Sequence, residues 1–331
     1  MNLAERITLM VKLGEYLTED SDELKTVKQK AFEQNKWFTE EFLNFSFKQI
    51  STHYLNRQKL ESWVHHYHID DNIGPKKIGI VMAGNIPLVG FHDFLSVFIT
   101  GHHQAIKLSE KDDVLLKHLV EKLVAWNPKV SNVVHIASLL KDCDAYIATG
   151  SNNSARYFHH YFGKYPSIIR SNKTSVAVLS GDETVDQLTS LSDDVFIYFG
   201  LGCRNVSKLF VPENYHFETM INAFNKYSYF ADITKYRNNY DYNLALFIMN
   251  NKFYMANDCI ILSENDAVFS PVSVLHYSYY KNEEKVFEKL NQNENIQCVV
   301  GEGHIPFGKS QEPGLFDYAD GVDTMQFLLT L

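Results

Sequence analysis

Apolar positions along this chain fall into two regimes. Residues 1 to about 70 carry hydrophobic side chains at helical spacing among many charges, as in Leu3, Ile7, Met10, Val11 and Leu17. Ser21 ahead of Glu23 and Leu24 marks a second helix start. After Asn72-Ile73-Gly74-Pro75 the pattern changes to short, dense apolar runs separated by glycine-containing breaks. The run over 77–82 reads as a buried strand ending at Ala83-Gly84-Asn85-Ile86-Pro87, and Pro87 suits the first turn of a helix reaching Val97.

The alternation continues. A strand over 104–108 precedes a helix over 113–126, and strands over 132–136 and 145–149 follow. The last of these runs into Gly150-Ser151-Asn152-Asn153 and a helix through Phe162. Strands over 166–169 and 175–179 lead to a helix ending near Phe199. Beyond residues 200–205 the pattern predicts a strand over 206–211, a helix over 216–227, strands over 258–262 and 272–278, and a helix over 282–290. Strands and helices alternating at these lengths predict an α/β fold with open, mostly parallel sheets in two α/β units, preceded by a helical segment.

Composition narrows the function classes. A chain of 331 residues with 45% hydrophobic content has enough apolar material for two cores. A formal charge of −9 argues against a nucleic-acid groove or an anionic membrane surface as partner. No apolar run reaches the ~18 residues of a membrane span, so no membrane insertion is expected. Cys143, Cys203, Cys259 and Cys298 form no C-x-x-C and no metal-like spacing. Without a secretory apolar region at the N-terminus they read as reduced thiols of a cytoplasmic protein.

Four segments are candidates for chemistry. In Gly200-Leu201-Gly202-Cys203-Arg204-Asn205 the glycines permit a sharp turn, and Arg204 puts a cation beside a thiol whose reactive form is the anion. Asn85, between a strand end and a helix start, reads first as a simple helix cap, and otherwise as an amide donor to a developing oxyanion. Lys107 and Ser109 follow a strand end, where ligands of open α/β sheets collect, so they suit a cofactor's ribose or 2′-phosphate; the other reading is a solvated lysine leading into a helix. Thr149, Gly150 and Ser151 open a helix whose amides suit a phosphate, or form an ordinary capped turn. Gly200-x-Gly202 is only a fragment of a dinucleotide fingerprint, since Asn205 stands where its third small residue belongs, and Gly301-x-Gly303 runs into Pro306. The pairs His102-His103 and His159-His160 lack the spacing that puts two ligands on one helix face, so no metal is expected.

In this order, the segments resemble the aldehyde dehydrogenase superfamily, and most closely its acyl-CoA reductase branch, related to the fatty acyl reductase (LuxC-type) of bacterial bioluminescence. AGNIPL stands where the superfamily has Asn-x-Pro, KLSEKD where it has Lys-Pro-Ser-Glu, and ATGSNNSARYF where Thr-Gly-Ser leads into the cofactor helix. GLGCRN occupies the nucleophile loop, DAVFSPV resembles Phe-Gly-Pro-Val, and HIPFGKSQEPGLFDYADGVDTMQFL resembles the C-terminal Pro-Phe-Gly segment. The match runs from about Lys76 to the C-terminus.

The resemblance implies that Cys203 is the nucleophile and Asn85 the oxyanion-binding asparagine, the role now favoured over a cap. It implies adenosine-ribose contacts at Lys107 and Ser109, and a pyrophosphate turn at Thr149, Gly150 and Ser151. It also implies a nucleotide-binding domain with the helical segment over 1–195, a catalytic domain over 196–308, and a segment over 309–331 returning to the first domain or to an oligomer interface. Two positions depart from the pattern. The glutamate that activates water in hydrolytic relatives aligns with Ile169, in Ile169-Arg170-Ser171-Asn172-Lys173. The glutamate that holds the nicotinamide ribose aligns with Ala267, with Asp266 beside it. The expected activity is therefore reduction of an acyl thioester (acyl-CoA or acyl-carrier) to an aldehyde through a Cys203 acyl-enzyme, using NADPH, with NADH as the alternative. His304 is a candidate proton donor. The other readings are an acyl-phosphate reductase of the same superfamily and a non-catalytic nucleotide-binding interaction protein. A homodimer is expected.

Overall fold

The computed structural model describes residues 1–71 and 73–331; Asn72, at the expected change of pattern, lies outside the described residues. The chain forms two compact units, one of residues 1–172 and 313–331, the other of residues 173–312. The division falls before the strand at 174 and its following helix, which the expected boundary at 195/196 places in the first domain.

The first unit opens with α1 (Leu3–Leu17), α2 (Asp22–Gln34), α3 (Glu40–Gln49) and α4 (Arg57–His66). Asn2 and Glu5 form a reciprocal capping box that satisfies otherwise orphaned amides at the start of α1, and Ser21 caps α2 as its position predicted. Met10, Leu13, Leu24, Leu43 and Leu60 are buried on the inward faces. The sheet consists of β1 (Lys77–Val81), β2 (His103–Lys107), β3 (Val134–Ile136), β4 (Ala145–Thr149) and β5 (Ser167–Arg170), in the order β3-β2-β1-β4-β5 and parallel throughout. Helices α5 (Phe91–Thr100), α6 (Val114–Trp126) and α7 (Asn152–Phe162) connect the strands. Ile78, Ile80 and Ile147 are fully buried, as strands covered on both faces require.

One expected boundary moves. The helix after β1 starts at Phe91, with Gly90 at the position before it, and not at Pro87. Leu88 takes a left-handed φ of 55°, which breaks helical geometry, and its amide bonds the Asp112 side chain. Asn85 therefore does not cap that helix.

The second unit contains β6 (Thr174–Val178), α8 (Val185–Phe196), β7 (Val206–Pro212), α9 (Glu218–Ala223), α10 (Thr234–Met249), β8 (Met255–Ala256), β9 (Ile261–Glu264), β10 (Val274–Tyr280), α11 (Glu283–Asn291) and β11 (Ile296–Val300). Its sheet order is β11-β6-β7-β10-β9-β8, parallel except for the β8–β9 pair. The sequence pattern missed α10, β8 and β11. Over its 16 residues α10 buries only Tyr236, Tyr240 and Asn243, so no apolar stripe marks it.

The C-terminal segment, with α12 (Thr324–Leu329), belongs to the first unit. A chain of hydrogen bonds runs from Trp63 Nε1 to Tyr318 Oη (2.9 Å), on to Tyr67 Oη (2.8 Å) and to Asp323 Oδ2 (2.7 Å). Arg170 of β5 binds Asp93 of α5 at 2.6 Å and Thr324 of α12 at 2.9 Å. Among the described residues, no helix is long and apolar enough to cross a membrane.

Candidate active site

In the second unit the loop carrying Cys203 begins with a strained turn. Tyr198, Phe199 and Gly200 adopt φ of 57°, 58° and 73° in succession. Left-handed backbone at a bulky residue costs about 1–3 kcal/mol and persists only where surroundings enforce it. Here Phe199 is 2% exposed and packs on Phe230 (4.7 Å between ring centroids) and Tyr236 (5.8 Å). The second restraint is Asn205, 1% exposed. Its Nδ2 donates to the carbonyls of Asp194 (3.1 Å), Val195 (3.4 Å) and Ile197 (2.8 Å), and its Oδ1 accepts from the Gly202 amide at 2.8 Å. The residue that spoils a dinucleotide fingerprint is thus the bolt of the loop.

Cys203 is half-buried within this turn. Its carbonyl accepts from Ser175 Oγ at 3.0 Å, and that hydroxyl lies 3.0 Å from Cys298 Sγ. Arg204 Nε donates to the Ser310 carbonyl at 2.5 Å. Asp194, fully buried on α8, accepts from the amides of Gly308 (2.6 Å) and Ser310 (2.8 Å). Desolvation pushes its carboxyl up to about 6 against those two bonds. Cys143 and Cys259 are buried, and burial pushes the Cys259 thiol up to about 12. Of the four cysteines, only Cys203 and Cys298 are partly exposed.

The turn over 265–268 is held by three side chains. Lys208 Nζ donates to the Asn265 carbonyl, Ser207 Oγ to Val268 O (2.6 Å), and His276 Nδ1 lies 2.9 Å from Ala267 O. Lys208 is fully buried, and desolvation pulls its ammonium down to about 8. Asp266 is exposed, with Oδ1 3.3 Å from Ser278 Oγ. His304 is exposed and stacks on Phe287, 4.4 Å between centroids.

In the first unit the strand register sets Lys107 and Ala148 level with Val81, so the loops carrying Asn85, Ser109 and Gly150 leave the sheet at one edge. Asn85 is exposed on the loop after β1. Gly84 beneath it admits no side chain, because a Cβ there would meet Ser109 Oγ at 2.7 Å and Cβ at 2.8 Å. Ser46 of α3 donates to Pro87 O at 3.0 Å, and Asn35 Nδ2 to Lys111 O at 3.3 Å. The N-terminal helices, which had no evident role in the sequence, clamp both loops.

Lys107 is exposed at the end of β2, and Ser109 Oγ accepts the Lys111 amide at 3.2 Å. Thr149 ends β4, Gly150 packs so that a Cβ would strike Ser154 Cβ at 2.8 Å and Phe158 at 2.9 Å, and Ser151 caps α7 through the Ser154 amide (3.2 Å). The structure brings Asn85, Lys107, Ser109, Thr149, Gly150 and Ser151 to one sheet edge of the first unit; Cys203 belongs to the second unit. His102 is buried with Nδ1 accepting the Lys76 amide (3.0 Å) and Nε2 on Leu328 O (3.0 Å). Among the described residues, no group of three or more His, Cys, Asp or Glu is placed to hold a metal ion.

No protein-family model and no curated protein matches the chain. Solved structures do. P. syringae AldA indole-3-acetaldehyde dehydrogenase, a mutant in complex with NAD+ and IAA, matches with a TM-score of 0.66 at 13% identity, over 91% of this chain and 72% of that one. The NAD+ complex of an aldehyde dehydrogenase from Bacillus cereus gives 0.62 at 15% identity, over 91% and 72%. HpcC from Thermus thermophilus gives 0.66 at 13% identity, over 91% and 70%. The chain thus has the aldehyde dehydrogenase fold.

Proposed function

We propose that this chain reduces an acyl thioester, acyl-CoA or acyl-carrier, to the aldehyde through an acyl-enzyme on Cys203. The observation that carries the reading is a half-buried cysteine on a strained, side-chain-bolted turn in a chain of aldehyde dehydrogenase fold. The Cys203 thiolate attacks the acyl carbonyl, and the carrier thiol leaves with the electron pair of the broken C–S bond. Asn85 keeps the oxyanion role that the family resemblance implies.

Where the family resemblance aligns the base with which hydrolytic relatives activate water, this chain has Ile169, partly buried in β5, and no carboxylate over 169–173. An acyl-enzyme without such a base is suited to wait for reduction. Residues fit for a nicotinamide dinucleotide are present. Gly150 packs too tightly on Ser154 and Phe158 for a Cβ, the first-turn amides of α7 suit a pyrophosphate, and Lys107 and Ser109 suit the adenosine ribose or its 2′-phosphate. When bound, NADPH or NADH supplies the hydride. Solved neighbours of the same fold carry NAD+. Asp266 takes the place left by Ala267, and a homodimer is the proposed assembly.

The test is incubation with radiolabelled acyl-CoA in the absence of reductant. Label is expected on Cys203 and is expected to be released as aldehyde when NADPH or NADH is added. Label that survives Cys203→Ser sinks the nucleophile; acylation by acyl phosphate but not by acyl-CoA moves the reading to an acyl-phosphate reductase.

A further inference from the structure

The nucleophile loop is enclosed by a ring of hydrogen bonds that closes on one buried residue, Asp194, through its carboxylate on one side and its backbone carbonyl on the other. From Asp194 of α8, Oδ1 accepts the Ser310 amide (2.8 Å) and Oδ2 the Gly308 amide (2.6 Å). The Ser310 carbonyl in turn accepts Arg204 Nε at 2.5 Å, fixing the residue after Cys203. On the other side, the Asp194 carbonyl accepts Asn205 Nδ2 (3.1 Å), and Asn205 Oδ1 holds the Gly202 amide (2.8 Å), fixing the residue before Cys203. The 308–310 turn is seated directly on α8: Gly308 has a φ of 80°, and a Cβ there would press on Ser190 at 3.1 Å. Asp194 and Ser310 are both fully buried, so water does not substitute for these bonds.

We propose that Asp194 is a positioning residue for the Cys203 thiol: its carboxylate holds the 308–310 turn as a strut for Arg204, and its carbonyl anchors Asn205. A carboxylate is needed because two amide donors converge on it. The isosteric amide of Asp194→Asn accepts only one of them and turns an N–H toward the other. The turn then shifts, Arg204 loses its acceptor, and the backbone on both sides of Cys203 loses its fixed geometry.

The inference rests on Cys203 being the reactive thiol of the proposed function, and its test needs neither acyl donor nor cofactor. The probe is iodoacetamide on the full chain at neutral pH, with each cysteine followed by mass spectrometry. Asp194→Asn is expected to slow Cys203 alkylation at least tenfold while the buried Cys259 stays unreactive. Arg204→Lys, which keeps the positive charge but removes the Nε donor, is expected to slow Cys203 as well. The double variant is expected to be no slower than the slower single one, because both cut the same ring. A purely structural role for Asp194 predicts the opposite: a loosened unit in which Cys203 and Cys259 both react faster. That result, or a Cys203 rate within twofold of the parent in folded Asp194→Asn, overturns the proposal. If Asp194→Asn does not fold, a parental Cys203 rate in Arg204→Lys overturns it alone. A parent in which Cys203 reacts no faster than Cys298 removes the nucleophile reading and this inference with it.

Discussion

The bolt of the Cys203 loop can be tested by changing one atom. Asn205 is 1% exposed, with Nδ2 on three carbonyls and Oδ1 on the Gly202 amide. Asn205→Asp keeps the shape and the Gly202 bond but turns a carboxylate oxygen toward the carbonyls of Asp194, Val195 and Ile197. An uncompensated buried charge costs about 3–5 kcal/mol. Asn205→Ala instead strands the Gly202 amide and the 2.8 Å Ile197 carbonyl, at about 1–3 kcal/mol for each buried group left without a partner. The pH dependence separates the two. Burial among carbonyls raises the introduced carboxyl's pKa above its unfolded value of about 3.9. The folded variant then binds more protons than the unfolded one, so its deficit is smallest in acid and grows as pH rises through the raised value. Urea unfolding should be followed by circular dichroism, because Trp37, Trp63 and Trp126 all lie in the first unit. Relative to the parent at each pH, the Asn205→Asp deficit should grow between pH 5 and pH 8 and that of Asn205→Ala should stay flat. A deficit below about 1 kcal/mol at pH 8, or one independent of pH, refutes the role given to Asn205.

Other outcomes follow from the same geometry. Asn85→Ala should raise the barrier of the proposed reduction by about 3–4 kcal/mol while leaving cofactor binding intact, which steady-state kinetics and a cofactor titration separate. Asp112 is buried with only its Oδ2 on the Leu88 amide, and desolvation pushes it up to about 7, so the folded chain holds a proton there that the unfolded chain releases near 4. Its contribution is complete in acid and is lost as pH rises through about 7; Asp112→Asn should remove that loss in unfolding curves at pH 5 and pH 8. Gly150→Ala drives a Cβ against Ser154 and Phe158, and should weaken nicotinamide binding by calorimetry more than it lowers the unfolding midpoint. Iodoacetamide should label Cys203 and Cys298 and spare Cys143 and Cys259 in the native chain, as peptide mapping would show.

Much of the fold was legible because parallel strands buried on both faces leave dense apolar runs, and 145–149 was read to the residue. The capped helix start at Ser21 was equally plain, since a cap acts through a neighbour three residues away; at Ser151 the cap was the alternative to a phosphate turn. What failed to show had a physical cause in each case. Helix α10 buries too few side chains for a stripe, and β11 gains its place from a parallel neighbour more than a hundred residues earlier. The helix expected from Pro87 starts late, at Phe91, because a side chain from 112 captures the Leu88 amide in a left-handed turn.

The order of segments along the chain determined the fold class and singled out Cys203, Asn85 and the turn at 149–151, because those features are written in local residue types and in runs of apolar positions. Only the tertiary structure decided what holds them. Asn205 as a bolt, Asp194 as the carboxylate under the loop, and the N-terminal helices as clamps on the 83–88 and 109–112 loops all act through hydrogen bonds formed only after the chain folds. Asp194 reaches Ser310 across more than a hundred residues, and Ser46 reaches Pro87 across about forty. A buried polar side chain leaves no periodic mark in sequence, because its partners are set by convergence in space and by the cost of leaving it without them.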